Sequence, residues 1–204
     1  MPLQNRVTPF GEIAALPGRG LFVGNRGILH DDARRVVRAW QCKRWITCRL
    51  EFKGIRRRVM TPHTWTELFF LDEAAAFAAG HRPCAECRRD AYLRYRTLWE
   101  SARGGPASAD AMDAILHEAR LDGRRKRTYR AAVATLPDGA FVALGGEPWL
   151  VWDDALFAWS DGGYTARRAR PHDLDADVLT PQPSIAVLRA GYRPQVHPSA
   201  FAVS

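Results

Sequence analysis

Alternating apolar and polar residues predict β-strands in the first half of the chain. Within residues 45–51, one face carries only apolar side chains, which is the pattern of a strand with one buried face. Lys53 and Gly54 can form a turn, so the basic residues 55–60 are predicted to return as the second strand of a hairpin. A third strand is predicted at residues 64–70.

A short helix with defined ends is predicted to follow the third strand. Asp72 can accept hydrogen bonds from the unpaired N–H groups of a first helical turn, and residues 73–79 are mostly strong helix formers. Gly80 can adopt the left-handed conformation that ends a helix, and Pro83 prevents its continuation. The pattern therefore indicates a helix directly before a Cys-x-x-Cys segment.

The rest of the chain is predicted to contain longer helices and then short strands. Apolar residues recur at helical spacing in residues 89–102 and again in residues 109–121, where Ser108 can cap the helix. Beyond Gly139, turn residues separate short apolar runs. These runs predict strands at residues 141–144, 148–152, 155–159 and 164–168, and a last short helix at residues 184–190.

Together these elements predict an α+β fold. A small antiparallel sheet, a cysteine knuckle and helices come first, and a β-rich part follows. We expect residues 1–103 to form the first module and residues 104–204 the second, and the two can pack together as one domain.

Composition excludes some classes of protein. No apolar run approaches the roughly 20 residues of a membrane-spanning helix, so we expect no membrane partner. The N-terminal residues lack the apolar stretch of a secretory signal, which favours a cytoplasmic location. In that location, cysteines act as metal ligands or free thiols more often than as disulfides.

Positive charge is concentrated in one segment. The chain carries a net charge of +8, and residues 34–60 contain ten arginines and lysines but one acidic residue. Codon bias alone would spread arginine more evenly. The concentration therefore indicates a surface that binds phosphate groups, for which the planar guanidinium is well suited.

The four cysteines can form a zinc site. Cys84 and Cys87 are spaced so that both thiolates can face one soft metal ion from a tight turn. Cys48 lies on the apolar face of its predicted strand and is the best third ligand. A redox pair and inert buried thiols are the alternatives. The candidates for the fourth ligand of a closed zinc site are Cys42, His30 and His81.

The segment around the cysteine pair resembles the N-terminal zinc-binding domain of the Ada DNA-repair family. The likeness covers about residues 70–88 and combines an alanine-rich helix, Gly-x-Arg-Pro and Cys-x-x-Cys. The matching residues are Phe70, Ala75, Ala78, Ala79, Gly80, Arg82, Pro83, Cys84, Cys87 and Arg88. The resemblance implies a four-cysteine Zn²⁺ site completed by Cys42. The first pair here is Cys42-x5-Cys48, a longer spacing than the family uses.

The resemblance also implies a reaction and a partner. In the Ada domain, the first zinc-bound cysteine accepts a methyl group from a methylated phosphotriester of DNA. Carried over to this chain, Cys42 would be the methyl acceptor and DNA the partner.

Our main hypothesis is a zinc-stabilised nucleic-acid-binding protein, which the resemblance associates with DNA and DNA repair. Basic side chains would make contacts to phosphates that do not depend on sequence. The predicted contact residues are Arg44, Arg49, Lys53, Arg56, Arg57, Arg58, Arg82, Arg88 and Arg89.

Two other classes of function remain open. An enzyme that modifies or cleaves DNA or RNA would keep the zinc as a structural element and carry its catalytic groups elsewhere. The candidates for those groups are His117, Glu147, Asp153, Asp154 and His172. A scaffold would instead bind a protein partner through an aromatic C-terminal sheet, with Trp149, Trp152, Trp159 and Tyr164.

Overall fold

A computed structural model describes residues 1–54 and 58–203 of the chain. Helices and two six-stranded sheets make up the described part, so the predicted α+β class is confirmed. The α-helices are α1 (Glu73–Ala78), α2 (Arg89–Arg103), α3 (Ala109–Arg120) and α4 (Gln182–Arg189). All four lie within two residues of a predicted helix, because caps and helical spacing are local signals.

The first sheet is mixed rather than antiparallel. Its strands are β1 (Arg6–Val7), β2 (Ile13–Ala14), β3 (Phe22–Asn25), β4 (Ile46–Arg49), β5 (Leu68–Phe70) and β6 (Arg82–Pro83). They lie in the order β2-β1-β5-β3-β4-β6. The pairs β1–β5 and β4–β6 are parallel, and the remaining pairs are antiparallel.

Long-range pairing takes the place of the predicted hairpin. β4 forms where the alternation predicts it, but its neighbours are β3 and β6. Residues 58–60 of the predicted returning strand form no strand, and residues 55–57 lie outside the described part of the chain. The predicted third strand is shortened to β5. Alternation specifies the buried face of a strand but not its partner, so the pairing could not be predicted locally.

The second sheet is antiparallel and contains the four predicted C-terminal strands. The strands that follow β6 are β7 (Leu121–Asp122), β8 (Arg125–Lys126), β9 (Tyr129–Ala132), β10 (Phe141–Leu144), β11 (Glu147–Trp152), β12 (Ala155–Ser160), β13 (Gly163–Ala169) and β14 (Asp175–Val178). β7 and β8 form a separate ribbon, and the sheet order is β13-β12-β11-β10-β14-β9. β9 and β14 were not predicted, because both are short and rich in charged or small residues.

The helix α1 lies at the centre of the molecule. Its N-cap Asp72 accepts a hydrogen bond from the Ala75 N–H at 2.8 Å, and Gly80 follows the helix with a φ of +89°. Every residue of α1 is buried. One hydrophobic cluster contains Ala75 together with Phe141 of the second sheet, so the apolar core crosses the predicted module boundary.

No helix in the described residues combines the length and the apolar character that a bilayer crossing requires.

Candidate metal centre

Parallel pairing of two strands brings three cysteines together. Thr47 of β4 lies opposite Pro83 of β6, and the Cys84 N–H donates to the Thr47 carbonyl at 2.9 Å. Cys84 directly follows β6 and is therefore held beside Cys48 of β4. Cys87 follows in the turn that leads into α2. The three sulfur atoms all lie within 4.8 Å of one another, so they could hold a metal ion.

The three sulfur atoms control one another's protonation. Hydrogen bonds from Cys48 and Cys87 lower the pKa of the Cys84 thiol far below its usual range. The pKa of the Cys48 thiol is raised, chiefly because its proton is shared with the Cys84 sulfur. The lowered pKa of Cys84 and the raised pKa values of Cys48 and Cys87 favour one thiolate at this site, with protons on the other two sulfurs. A metal cation would replace those protons and hold all three sulfurs as thiolates.

Cys42 lies apart from this group. In the described part of the chain, the only group of three or more potential ligands with such close ligand atoms is Cys48, Cys84 and Cys87. Cys42 lies in the loop before β4, and its thiol donates a long hydrogen bond of 3.5 Å to the Arg44 carbonyl. A methyl-acceptor role for Cys42 would therefore lack an activating metal in this arrangement.

The two candidate histidines are engaged elsewhere. Nδ1 of His30 lies 2.6 Å from Thr66 Oγ1, and its Nε2 lies 3.1 Å from the Thr61 carbonyl oxygen. His81 is completely buried, and its Nε2 accepts a hydrogen bond of 3.4 Å from Arg26. Within residues 1–54 and 58–203, neither histidine joins the three cysteines as a ligand.

The three cysteines line a cavity of about 430 Å³. Phe52 and Phe69 form apolar parts of the cavity wall, and Trp65 also lines the cavity. The charged side chains that line it are Arg49, Lys53, Glu67 and Glu86. Glu67 is 5% exposed, and its Oε2 accepts a hydrogen bond from the Met60 N–H at 2.7 Å. The three thiols thus face a partly open cavity whose wall includes a buried carboxylate.

Two of the predicted nucleic-acid contacts are buried in the structure. Arg82 is 2% exposed and donates to both carboxylate oxygens of Asp113, at 2.7 and 2.9 Å. Arg88 is 8% exposed and donates to Glu73 at 2.7 Å and to Thr47 at 3.0 Å. Arg82 and Arg88 therefore do not form the predicted surface. A buried arginine needs an acidic partner, and these partners lie far away in the sequence.

The other predicted contacts differ in their surroundings. The exposed ones are Arg44, Arg49, Lys53, Arg58 and Arg89. Arg49 and Lys53 line the cavity next to the cysteines, whereas Arg44 forms an exposed ion pair of 3.4 Å with Asp110. Arg56 and Arg57 lie outside the described residues.

The alternative catalytic residues do not join the cysteine group. Asp154 forms an exposed ion pair with Arg167, and Asp153 lies in the turn between β11 and β12. Glu147 and His172 are exposed, and His117 stacks edge-on against Trp40 with ring centroids 4.5 Å apart.

The C-terminal aromatic residues are part of the core. Tyr164 is 4% exposed and donates a hydrogen bond of 2.8 Å to Asp72. Trp149, Trp152 and Trp159 are partly buried and pack against the hydrophobic clusters. This packing accounts for their spacing without a protein partner.

Sequence reasoning missed Glu67 and Glu73. Glu67 lies just before β5 with no neighbouring motif, so only the cavity shows its position. Glu73 was assigned to the first turn of a helix, but its carboxylate also accepts hydrogen bonds from Tyr192 at 2.8 Å and from the Gln195 N–H at 2.9 Å. Glu73 therefore links the Arg88 side chain to the C-terminal segment.

Comparisons with protein-family models, with curated proteins and with solved structures found no match for this chain.

Proposed function

We propose that the protein is a zinc-stabilised nucleic-acid-binding protein whose Zn²⁺ is held by Cys48, Cys84 and Cys87. The observation that carries this proposal is the group of three sulfur atoms within 4.8 Å. Ligands about 2.3 Å from a tetrahedral zinc ion lie about 3.8 Å apart, which this group can match. Bound zinc would keep the sulfurs as thiolates and cross-link β4 to the segment before α2.

The nucleic-acid part of the proposal rests on charge. The chain has an excess of basic residues, with 30 arginines and lysines against 22 acidic residues. Arg49 and Lys53 are exposed beside the cysteine group, and Arg58 is exposed in the same basic segment. Such side chains attract phosphates without reading the base sequence, so we expect binding that depends strongly on salt.

Binding of duplex DNA at low salt is expected to weaken steeply as salt increases. Replacing Arg49, Lys53 and Arg58 together with glutamine should reduce the salt slope by about one per lost phosphate contact. Gel-shift titrations at several salt concentrations measure both effects. The control is Arg168→Gln, which removes an exposed arginine from β13 and should leave the slope unchanged. Negligible affinity for duplex and single-stranded DNA at low salt would contradict this proposal.

A second candidate function is an enzyme that modifies or cleaves nucleic acid with the same metal at its centre. The observation that favours it is a three-cysteine group facing a cavity with the buried carboxylate of Glu67. Catalytic zinc sites keep three protein ligands and an open position, which a site of three cysteines would provide. The metal would supply Lewis acidity there, and the Glu67 carboxylate could accept a proton from a bound molecule.

This second candidate predicts that Glu67→Gln retains zinc but loses turnover by about a hundredfold or more, because the amide cannot accept the proton. The assay incubates the zinc-loaded protein with plasmid DNA and with RNA, and detects nicking by gel and altered bases by mass spectrometry. The control is Glu86→Gln, which removes an exposed carboxylate from the same cavity wall. Unchanged nucleic acid in every assay would exclude this candidate and leave the binding proposal intact.

A further inference from the structure

A second and larger cavity lies apart from the three cysteines. Its volume is about 860 Å³, and it shares no lining residue with the cysteine cavity. Cys48 of β4 lines the cysteine cavity, whereas Trp45 lies just before this strand and does not. Trp45 lines the larger cavity, which we call the basic cleft.

Positive charge dominates the lining of the basic cleft. Its basic residues are Arg26, Arg38, Arg120, Arg124, Arg125 and Lys126. Glu12 is the one acidic side chain among the described lining residues. The Asp113 charge opposes the lowering of the Arg120 pKa, but both of its carboxylate oxygens already accept hydrogen bonds from Arg82. Among the described lining residues, six basic side chains therefore face one acidic side chain.

Arg26 carries a buried hydrogen-bond donor that has no partner. Its side chain is 1% exposed and lies over the Trp45 ring, with the guanidinium carbon 4.0 Å from the ring centroid. Its Nη1 donates to the Gly11 carbonyl at 2.9 Å and its Nε donates to His81, but Nη2 makes no hydrogen bond with the described residues. Gly11 also lines the cleft, and a Cβ atom there would lie 3.9 Å from this nitrogen.

Arg120 repeats this arrangement next to Arg26. It is 1% exposed, and its guanidinium carbon lies 3.7 Å from the centroid of the same Trp45 ring. Its Nη atoms donate to backbone carbonyls of Gly80 and Lys43, and Nη2 also lies 2.8 Å from His117 Nδ1. Its Nε has no hydrogen-bond partner among the described residues. Buried cations without a counter-charge are costly, so their presence together needs an explanation.

The protonation equilibria reflect the burial of several cations close together. Burial and the neighbouring Arg120 charge lower the pKa of Arg26 to about 9, and burial lowers the pKa of Arg120 to about 9. Burial and both arginines lower the pKa of Lys126 to about 7. An anion in the cleft would oppose all three of these shifts.

We propose that the basic cleft binds the phosphate group of a phosphate ester whose remaining part is an aromatic or apolar body, as in a mononucleotide. Buried guanidinium groups form strong charge-assisted hydrogen bonds to phosphate oxygens. Phe10, Ile13, Val37 and Trp40 give the cleft apolar walls, which inorganic phosphate alone would not contact. The volume lies within the range of known small-molecule sites.

Calorimetric titration with pyrophosphate and with adenosine 5′-monophosphate tests this proposal, with adenosine as the uncharged comparison. Both phosphates are expected to bind and to raise the melting temperature, and adenosine to bind far more weakly. Arg26→Met should weaken phosphate binding by about tenfold or more, because it removes a charge-assisted contact. Without phosphate, the melting temperature of the same variant should change little, because removal of a buried unpaired charge offsets the loss of the hydrogen bonds to Gly11 and His81.

Two further variants separate the cleft from general charge effects. Arg124→Gln with Arg125→Gln changes exposed residues at the cleft, so folding is preserved while phosphate binding weakens. Arg130→Gln is the matched control, because Arg130 is exposed on β9 and does not line the cleft. Absence of heat and of a thermal shift with millimolar pyrophosphate and adenosine 5′-monophosphate would overturn the proposal. Equal weakening by Arg130→Gln would overturn it as well.

An oligonucleotide with a 5′-phosphate, compared with the same strand ending in a hydroxyl group, identifies the source of the phosphate. Preference for the phosphorylated strand, lost in Arg26→Met, indicates that the cleft holds a nucleic-acid end. Equal binding of both strands, together with tight mononucleotide binding, indicates a free nucleotide. Both results support the phosphate site. The phosphate site does not depend on the proposed zinc function. A protein without zinc would contradict the zinc proposal and leave the phosphate site untouched.

Discussion

The purified protein is expected to contain about one equivalent of zinc and to lose it when Cys84 is replaced by serine. The sulfur of Cys84 is hydrogen-bonded to the sulfurs of Cys48 and Cys87, and replacing Cys84 leaves only these two as ligands. Because metal binding contributes directly to folding, the variant should lose several kcal/mol of unfolding free energy, and up to about 10 kcal/mol. Elemental analysis measures the metal, and chemical denaturation measures the stability.

The matched control for this experiment is Cys42→Ser. Cys42 lies outside the three-cysteine group, so its replacement should change neither zinc content nor stability. A strong chelator should lower the stability of the original protein and of Cys42→Ser, but not that of Cys84→Ser. If Cys42→Ser lost the metal as completely as Cys84→Ser, Cys42 would be a ligand. The proposal that only Cys48, Cys84 and Cys87 hold the metal would then be wrong. If the protein without metal were as stable as the protein with metal, the metal proposal would be contradicted.

Replacing Asp113 with alanine is expected to destabilise the protein by about 3–5 kcal/mol, because Arg82 then keeps a buried charge without a partner. At this chain length, that loss corresponds to a melting temperature lower by roughly 10 °C. Arg82 belongs to β6, which positions Cys84, so zinc affinity should fall as well. Thermal denaturation and metal titration measure the two effects.

Asp110→Ala provides the comparison on the same helix. Asp110 pairs with Arg44 at 3.4 Å, but both side chains are mostly exposed, so little stability should be lost. The double variant Arg82→Met with Asp113→Leu should be more stable than Asp113→Ala, since it removes both buried charges. Equal stability losses for Asp110→Ala and Asp113→Ala would show that the buried ion pair contributes no more to stability than the exposed one.

Local patterns in the sequence determined the helices and much of the second sheet. The Asp72 cap, the alanine-rich helix and the stop at Gly80 all involve residues within a few positions of one another. The strands β10 to β13 were predictable for the same reason, because turns and alternation are local. The proximity of Cys84 and Cys87 also follows from the sequence, because their spacing places both in one turn.

Only the tertiary structure decided which third cysteine lies beside Cys84 and Cys87. The parallel register of β4 and β6 selects Cys48 rather than Cys42 to join Cys84 and Cys87. That register depends on contacts between segments far apart in the sequence, which alternation cannot specify.

Charge was the property that the sequence described least well. Arg44, Arg49 and Lys53 of the basic segment are exposed. Arg82 and Arg88, by contrast, are neutralised in the interior by Asp113 and Glu73. The basic cleft instead gathers residues from distant segments, among them Arg26 and Arg120. A sequence fixes how many charges a protein carries, whereas burial and the position of each counter-charge determine what those charges can bind.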